Sequence, residues 1–432
     1  MNIVLLIADT LRLKDIAADN MELFEDRENI FYSEKYVSNA SWTVPAHATI
    51  FTGDLPSEHG TYSQNPYFER RNNLIDAMRG LGFETIGLSE NPLFSDVTNL
   101  SKGFETFINV NEDLWEGKTW KDLMESDYDR SDYLYFLMES LLKRDYKSIK
   151  SFVRYLNKKI GNREDFNPTY TNYTIEEYEK AIQGEEDKFI ALNLMPTHLP
   201  YTLTEEERGE LEGMTDEKIE RLSKYGASDI YDVEFTQKEL EERKEIYKAS
   251  IRYLERRIEE LIDKSPENTK FVIVGDHGEL LGERRKNERR LLGHHFGTFK
   301  ELVRVPFWIC PEPENLEFEG LLDHSILKDI LVHLATEEEK AIGKNQVRSE
   351  YFGKSGFDKN FGDAEGFTEL DDRKSFSILN EALKYDLASD GEYLWEFGPQ
   401  TEERAIGADK LSFDMRNKAE IHYEWRFRDE NN

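Results

Sequence analysis

The stretch NASWTVPAHATIFTG, residues 39–53, places a hydroxyl side chain at the start of a predicted helix. Thr43 lies two residues before Pro45, which favours the first turn of a helix, and small residues and His47 follow. The free N–H groups and the dipole of a helix N-terminus attract anions such as phosphate or sulfate esters. Because a threonine hydroxyl is a weak nucleophile without a base or a metal ion, the stretch predicts an ester site to which the rest of the chain contributes a metal.

Four apolar, β-type runs are each followed by polar residues of the kind that bind metals or anions. The runs are residues 2–8, 83–89, 188–194 and 269–275, and the residues after them are Asp9, Asn91, His198 and the pair Asp276–His277. In an open α/β sheet the C-terminal ends of parallel strands form the ligand-binding edge. A helix cap would explain Asp9 alone, and space-filling would explain His198 alone, but repetition at successive strand ends favours one site. With Thr43, these Asp and His side chains form an oxygen and nitrogen set that suits zinc or manganese.

The composition of the 432-residue chain limits its partners and its location. It carries 56 Lys and Arg against 88 Asp and Glu, a formal net charge of −32, which disfavours nucleic acid and anionic membrane surfaces as partners. Lysine is plentiful, which argues against an adaptation to high salt. Cys310 is the single cysteine, so no intramolecular disulfide can form. The N-terminal apolar run is too short for a membrane span and lacks a basic region with a cleavage site, so we expect a cytoplasmic protein.

The order of the predicted elements indicates an α/β protein. Residues 1–320 predict an α/β catalytic domain that contains a charged, aromatic-rich helical insertion over residues 110–185. Residues 321–432 predict a C-terminal α+β subdomain with a helix over 322–336 and short antiparallel strands at 375–379, 383–387 and 393–397. Residues 302–310 predict a strand at the edge of the sheet, because Pro306 interrupts the run.

Taken in order, these motifs resemble those of the sulfatase family of the alkaline phosphatase superfamily. The matching segments are Asp9, Thr43-Val44-Pro45-Ala46-His47 with Thr52-Gly53, Glu58-His59-Gly60, His198-Leu199-Pro200-Tyr201, Asp276-His277-Gly278-Glu279 with Gly282-Glu283, and Arg304-Val305-Pro306. Their order and approximate spacing match over residues 1–110 and 185–400. The resemblance implies an alkaline phosphatase-like fold, with a mostly parallel central sheet flanked by helices and a smaller C-terminal antiparallel sheet.

The resemblance also implies a role for each matching residue. Asp9, Asp276 and His277 would bind one divalent metal ion, with the Thr43 hydroxyl at the same ion. Thr43 would be the nucleophile and form a covalent ester intermediate. His59 and His324 are expected to be structural.

The remaining candidates surround the ester. His47 falls where sulfatases carry the arginine that assists the nucleophile, and His198 matches the histidine that contacts the ester oxygens or the leaving group. His294 or His295 falls where relatives place a lysine or histidine on the substrate anion, and the spacing does not decide between them. Asn91 either donates a hydrogen bond to the anion or caps the turn before the following proline.

Two departures from the family pattern change the expected chemistry. Sulfatases oxidise a cysteine or serine in a Cys/Ser-x-Pro-x-Arg sequence to formylglycine, whereas this chain has Thr43 and His47 at those positions, and Ser41 lacks the x-Pro-x-Arg that would follow it. Thr10 stands where calcium-type sulfatases carry a second aspartate. Calcium prefers six to eight oxygen ligands, so the smaller set favours zinc or manganese over calcium or magnesium. Residues 193–198 contain no aspartate for a second site, so we predict one metal.

These observations predict a metal-dependent hydrolase of sulfate or phosphate esters, with phosphate monoesters or diesters favoured. The expected partner is a small anionic ester, glycan- or lipid-linked, whose organic part the sequence does not identify. A phospho-headgroup transferase of the same superfamily and a non-catalytic binding protein are the alternatives. The sequence does not predict the oligomeric state.

Overall fold

The computed structural model describes residues 1–18, 27, 29–62, 68–69, 73–110, 168–224, 235–286, 289–294, 296–352, 374–380, 383–388 and 391–396. The strands are β1 (Asn2–Ala8), β2 (Phe31–Ser33), β3 (Tyr36–Val37), β4 (Glu84–Ser89), β5 (Thr106–Asn109), β6 (Lys188–Leu194), β7 (Thr269–Gly275), β8 (Leu280–Lys286), β9 (Arg289–Gly293), β10 (Phe307–Cys310), β11 (Leu316–Phe318), β12 (Leu322–Asp323), β13 (Lys340–Ile342), β14 (Val347–Phe352), β15 (Lys374–Leu379), β16 (Leu383–Ala388) and β17 (Gly391–Glu396). The helices are α1 (Leu13–Ala18), α2 (Thr43–Thr52), α3 (Pro56–His59), α4 (Leu74–Gly80), α5 (Pro168–Ala181), α6 (Glu205–Glu210), α7 (Asp216–Lys224), α8 (Gln237–Asp263), α9 (Lys300–Val303) and α10 (Leu327–Thr336), and His324–Ile326 form a 3₁₀ turn.

A seven-stranded sheet in the order β2-β10-β7-β1-β6-β4-β5 forms the centre of the protein. Strand β1 lies between β6 and β7 and is parallel to both, so that Ala8 pairs with Leu194 on one side and Gly275 on the other. Only β10 and β2 run antiparallel to their neighbours within this sheet. The predicted mostly parallel sheet is therefore confirmed, and the C-terminal ends of β1, β6 and β7 lie side by side.

Two hydrophobic layers cover the two faces of this sheet. Alternate residues of β1 belong to different layers: Val4 packs with α8, whereas Ile3 packs with Val44 and Phe51 of α2. Alternation follows from the strand geometry, since successive side chains point to opposite faces. Each large aliphatic side chain buried in this way contributes about 1.5–3 kcal/mol. The layers thus hold α2 against one face of the sheet.

Helix α2 begins at Thr43, at the position that the sequence predicts. Trp42 precedes it with an extended backbone (φ −162°), and the Trp42 side chain makes no capping hydrogen bond to the first N–H groups. The helix ends at Gly53, whose φ of 83° is left-handed and whose N–H donates to the Thr49 carbonyl at 2.8 Å. All ten residues of α2 are buried. The uncapped N-terminus is therefore held rigidly beside the sheet.

Two predicted elements differ from the structure. The predicted edge strand over residues 302–310 is wrong in its first part, because residues 300–303 form α9 and only Phe307–Cys310 are extended. This strand is also not at the edge, because β2 pairs with its outer side. The predicted helix over residues 322–336 begins only at Leu327, and residues 322–323 instead form a strand that pairs with β3.

The C-terminal antiparallel strands are confirmed. Strands β14, β15, β16 and β17 form a four-stranded antiparallel sheet, which contains the three predicted strands with small shifts at their ends. Of the predicted helical insertion, α5 is described, and residues 111–167 lie outside the described residues. The domain limits at residues 320 and 321 remain a prediction. No helix in the described ranges combines the length and apolar character that crossing a membrane requires.

Candidate functional site

The ends of two adjacent parallel strands bring three predicted metal ligands together. Asp9 follows β1, and Asp276 and His277 follow β7, which pairs with β1 in register up to its last residue. One potential ligand atom from each of the three lies within 4.8 Å of the others, and all three side chains are fully buried. The sheet topology therefore produces the cluster directly, without help from a loop excursion.

The hydrogen bonds of these residues leave the atoms that face one another available. Asp276 Oδ1 accepts from the backbone N–H groups of Thr10 (3.0 Å) and His277 (2.7 Å). Asp9 Oδ1 and Asp276 Oδ2 are buried and accept no hydrogen bond from the residues that the structure describes. His277 Nδ1 donates to the Gly278 carbonyl at 2.9 Å, which assigns the proton to Nδ1 and leaves Nε2 as an acceptor. Buried oxygens without partners are costly, so this donor set fits a divalent cation.

The nucleophile candidate lies at the same point. Thr43 Oγ1 is 3.3 Å from His277 Nε2 and 3.5 Å from Asn91 Nδ2. The Asn91 amide also donates to Asp9 Oδ2 at 2.6 Å, and its carbonyl oxygen accepts from the Leu93 N–H at 2.7 Å. Asn91 thus both caps its turn and donates into the site, so the two interpretations of this residue are compatible.

The electrostatics of the cluster favour a bound cation. Burial, together with the neighbouring Asp9 carboxylate, raises the pKa of Asp276 well above its usual range. Burial lowers the pKa of His277 to about 4, so its imidazole is neutral at pH 7. Two buried carboxylates at close range destabilise each other's charge, and a divalent cation between them relieves that cost.

His47 lies next to this cluster but is turned toward its own helix. Its Nδ1 donates to the Thr43 carbonyl at 2.9 Å and is 3.7 Å from Asp276 Oδ2. Its ring packs against Phe51 and Phe94, and Nε2 is buried without a partner among the described residues. Burial lowers the pKa of His47 to about 4. The residue at the position of the family's arginine therefore presents no fixed charge to a substrate.

Two further histidines, His198 and His294, lie beside the ligand cluster. His198 Nδ1 donates to the Leu199 carbonyl at 2.6 Å, and its ring centroid is 5.3 Å from that of His294. The His294 ring is in turn 4.7 Å from His277. The structure therefore brings His198 and His294 together beside the ligand cluster, whereas His295 lies outside the described residues.

Glu279 is a site residue to which the sequence analysis assigned no role. It is fully buried, its Oε2 accepts from the Tyr201 hydroxyl at 3.0 Å, and its Oε1 is 4.0 Å from His294 Nδ1. Burial raises the pKa of Glu279. Its place in the Asp-His-Gly-Glu motif, two residues after a metal ligand, is the signal that could have identified it.

Arg12 connects the two loops that carry the metal ligands, and sequence reasoning missed it. Its guanidinium forms ion pairs with Asp15 (2.7 Å) and Glu283 (2.6 Å), and Nη1 donates to the Glu279 carbonyl at 3.0 Å. The Tyr247 hydroxyl accepts from the Arg12 N–H at 3.0 Å. Only the position of Arg12, three residues after Asp9, could have indicated this role.

The two histidines that were expected to be structural bond only to scaffold groups in the described chain. His59 is 3.2 Å from the Thr49 hydroxyl and accepts from the Thr61 N–H. His324 lies 3.1 Å from the Gly275 carbonyl, behind the ligand loop. Neither belongs to the cluster of potential metal ligands.

Several solved structures share this fold over nearly their whole length. Phosphonate monoester hydrolase from Silicibacter pomeroyi superimposes with a TM-score of 0.62 at 15% identity, covering 99% of this chain and 95% of that one. Phosphonate monoester hydrolase of Agrobacterium radiobacter gives 0.62 at 14% identity, covering 98% and 94%. A putative sulfatase from Bacteroides thetaiotaomicron gives 0.58 at 11% identity, covering 98% and 92%. At these identities the likeness establishes the alkaline phosphatase-like fold.

The sequence itself identifies the family. No curated protein sequence matches the chain. A profile of the family described as Sulfatase matches residues 1–323, which include all the described candidate site residues. The chain therefore belongs to the sulfatase family of the alkaline phosphatase superfamily and is an ester hydrolase.

Proposed function

We propose that this protein is a metal-dependent hydrolase that cleaves phosphate esters in preference to sulfate esters, with Thr43 as its nucleophile. One observation carries the proposal: two carboxylate oxygens without a hydrogen-bond partner among the described residues converge with His277 Nε2, which lies 3.3 Å from the Thr43 hydroxyl. Asp9, Asp276 and His277 would hold one divalent ion, zinc or manganese by the donor types, with Thr43 Oγ1 as a further ligand. Such an ion supplies a Lewis acid that lowers the pKa of the hydroxyl and neutralises charge on the ester.

The residues of the chain account for the other steps. Deprotonated Thr43 Oγ1 attacks phosphorus, so that the Oγ1–P bond forms while the bond to the leaving oxygen breaks. The Asn91 amide and the uncapped N–H groups of α2 stabilise the non-bridging oxygens. His198 or His294 protonates the leaving oxygen. Water then attacks the phosphothreonine, and Thr43 Oγ1 leaves and regains a proton.

Threonine chemistry supports phosphate over sulfate esters. The Cβ of Thr43 carries a methyl group, so its oxidation gives a ketone and not the aldehyde of formylglycine. An unmodified alcohol must form and lose its ester by attack at the central atom, as in metal-activated phosphoryl transfer. Phosphonate monoester hydrolases share the fold, which is compatible with chemistry at phosphorus.

The test compares matched aryl esters on metal-loaded protein. We expect turnover of aryl phosphate or aryl phosphodiester to exceed that of aryl sulfate, and Thr43→Ala to abolish it while the fold and metal content are retained. Thr52→Ala, at the other end of α2, is the matched control and should keep activity, because its hydroxyl donates to the Ala48 carbonyl and accepts from the Asp54 N–H, at the end of the helix away from Thr43. Sulfate turnover far above both phosphorus esters would contradict the ester preference. Unchanged turnover in Thr43→Ala would contradict the assigned nucleophile.

A further inference from the structure

The fixed charges around Thr43 are balanced once a divalent ion is bound. Asp9 and Asp276 are fully buried and contribute two negative charges, which a divalent cation neutralises without a surplus. Asp9 Oδ1 and Asp276 Oδ2 lie 3.9 and 3.5 Å from His277 Nε2, and the imidazoles of His198 and His47 also act on His277. The described residues of the centre therefore offer an incoming ester little excess positive charge.

The position at which the family carries an arginine supplies no fixed cation here. His47 replaces the family's arginine, and its Nδ1 is hydrogen-bonded to the Thr43 carbonyl at 2.9 Å. Phe51 and Phe94 cover its ring. An arginine would present up to five donors and a permanent charge, whereas this imidazole presents neither to the ester.

The charged groups near His294 and Arg12 also have partners of opposite charge close by. His294 lies beside the buried Glu279 carboxyl group, 4.0 Å from Nδ1 to Oε1. Arg12, which borders the same loop, is paired with Asp15 and Glu283 and directs its Nη1 to a backbone carbonyl. These residues therefore add no net positive charge that faces the ester.

We propose that this site selects phosphorus esters with a single negative charge, such as phosphodiesters or phosphonate monoesters, over dianionic phosphate monoesters. The inference rests on the proposed function, because it names the substrate class of the same site. A phosphate monoester loses its second proton at a pH of about 6, so at pH 8 it brings one more negative charge than a diester. Asp9 and Asp276 are already matched by the ion, so no surplus cation among the described residues compensates that extra charge in the buried site. We therefore expect a penalty of roughly tenfold or more in affinity.

Equilibrium binding tests the charge argument without the chemical step. Metal-loaded Thr43→Ala protein would be titrated with para-nitrophenyl phosphate and with methyl para-nitrophenyl phosphate, which differ in the methyl group and in charge. At pH 8 the diester should bind roughly tenfold or more tightly, and the difference should shrink as the pH falls below about 6 and the monoester gains a proton. The charge of the diester does not change with pH. Titration of protein groups that affects both ligands equally therefore cancels in the ratio of the two dissociation constants at each pH. Equal or tighter monoester binding at pH 8, or a ratio independent of pH, would overturn the inference.

A variant that adds charge provides the second test. His198 is partly exposed beside His294, so His198→Lys adds a permanent cation at the rim, and His198→Gln is its neutral control. Comparing kcat/KM for the two esters, we expect His198→Lys to raise the monoester-to-diester ratio roughly tenfold relative to His198→Gln. An equal ratio in the two variants would refute the charge argument.

The two proposals fail in different ways. If wild-type protein turns over the monoester better than the diester at pH 8, this inference fails and the proposed function stands. If it turns over aryl sulfate and neither phosphorus ester, the proposed function fails, and the inference falls with it.

Discussion

Replacing Arg12 by glutamine tests whether the buried ion pairs hold the ligand loops together. Arg12 is 1% exposed, and the side chains of its partners Asp15 and Glu283 are 10% and 13% exposed. Burial alone would raise the pKa of Glu283, but Arg12, helped by the backbone N–H groups of Leu281 and Glu283, lowers it from an ordinary 4.5 to about 2. That net lowering corresponds to about 3 kcal/mol of stabilisation of the carboxylate, of which Arg12 contributes the largest part. It agrees with the roughly 3–5 kcal/mol expected when one partner of a buried pair is removed.

Urea unfolding at pH 7 measures this loss. We expect Arg12→Gln to lower the free energy of unfolding by about 3–5 kcal/mol. Combining it with Glu283→Gln should recover part of this loss, because one of the two carboxylates left without a partner is then neutral. Arg252→Gln is the control, since its pair with Glu210 is 2.7 Å long but 41% and 43% exposed, and should cost less than about 1 kcal/mol.

The pH dependence gives an independent check on the same pair. The Glu283 pKa is lower in the folded protein than in the unfolded chain, so its contribution is complete above about pH 4.5 and is lost as the pH falls toward about 2. The difference in the free energy of unfolding between wild type and Arg12→Gln should therefore become smaller as the pH falls from about 4.5 toward about 2. A loss at pH 7 no larger than that of the Arg252→Gln control would refute the role assigned to Arg12.

Three other substitutions have defined outcomes. Burial raises the pKa of Glu90 to about 7, so the folded protein retains a proton that the unfolded chain releases, and the free energy of unfolding falls as the pH rises from about 4.5 to 7. Glu90→Gln should stabilise the protein by about 3 kcal/mol at pH 8 but not at pH 4 in urea unfolding, and equal effects at both would contradict this. A Cβ at Gly278 would lie 2.0 Å from the Glu301 carbonyl oxygen, so Gly278→Ala should displace the ligand loop, and an unchanged melting temperature and metal content would contradict this. Asn91→Ala removes the donor to Asp9 and should weaken metal binding by about tenfold in a competitive chelator titration, whereas wild-type affinity would show that the amide does not orient the ligand.

Much of the site could be predicted because its ligands lie at the ends of apolar runs. Asp9 and Asp276 directly follow strands whose residues are almost all buried, and such strands are recognisable from composition alone. The end of a parallel strand fixes the position of the next residue to within a turn. Predicting that these ends converge therefore required that the strands be parallel and lie side by side in one sheet.

The errors arose where pairing between distant segments decides the structure. The apolar run over residues 302–310 is compatible with a single strand, yet its first residues close a helical turn on the carbonyls of Phe299 and Lys300. Its last residues pair with β2, which lies more than 270 positions earlier in the chain. A local pattern contains no information about such a partner, so the predicted edge position was wrong.

The sequence by itself determined the sheet, the helix that begins at Thr43 and the identity of the candidate metal ligands. These follow from local periodicity, from a proline in the first helical turn and from polar residues at strand ends. Only the tertiary structure decided the orientation of His47, the proximity of Glu279 to His294 and the ion pairs of Arg12 with Asp15 and Glu283. Those features depend on which nitrogen or oxygen meets a neighbour that is distant in the chain, or on the side of a ring that phenylalanines cover. These contacts determine which charged groups can face a substrate. The proposed substrate class therefore had to be inferred from the folded protein.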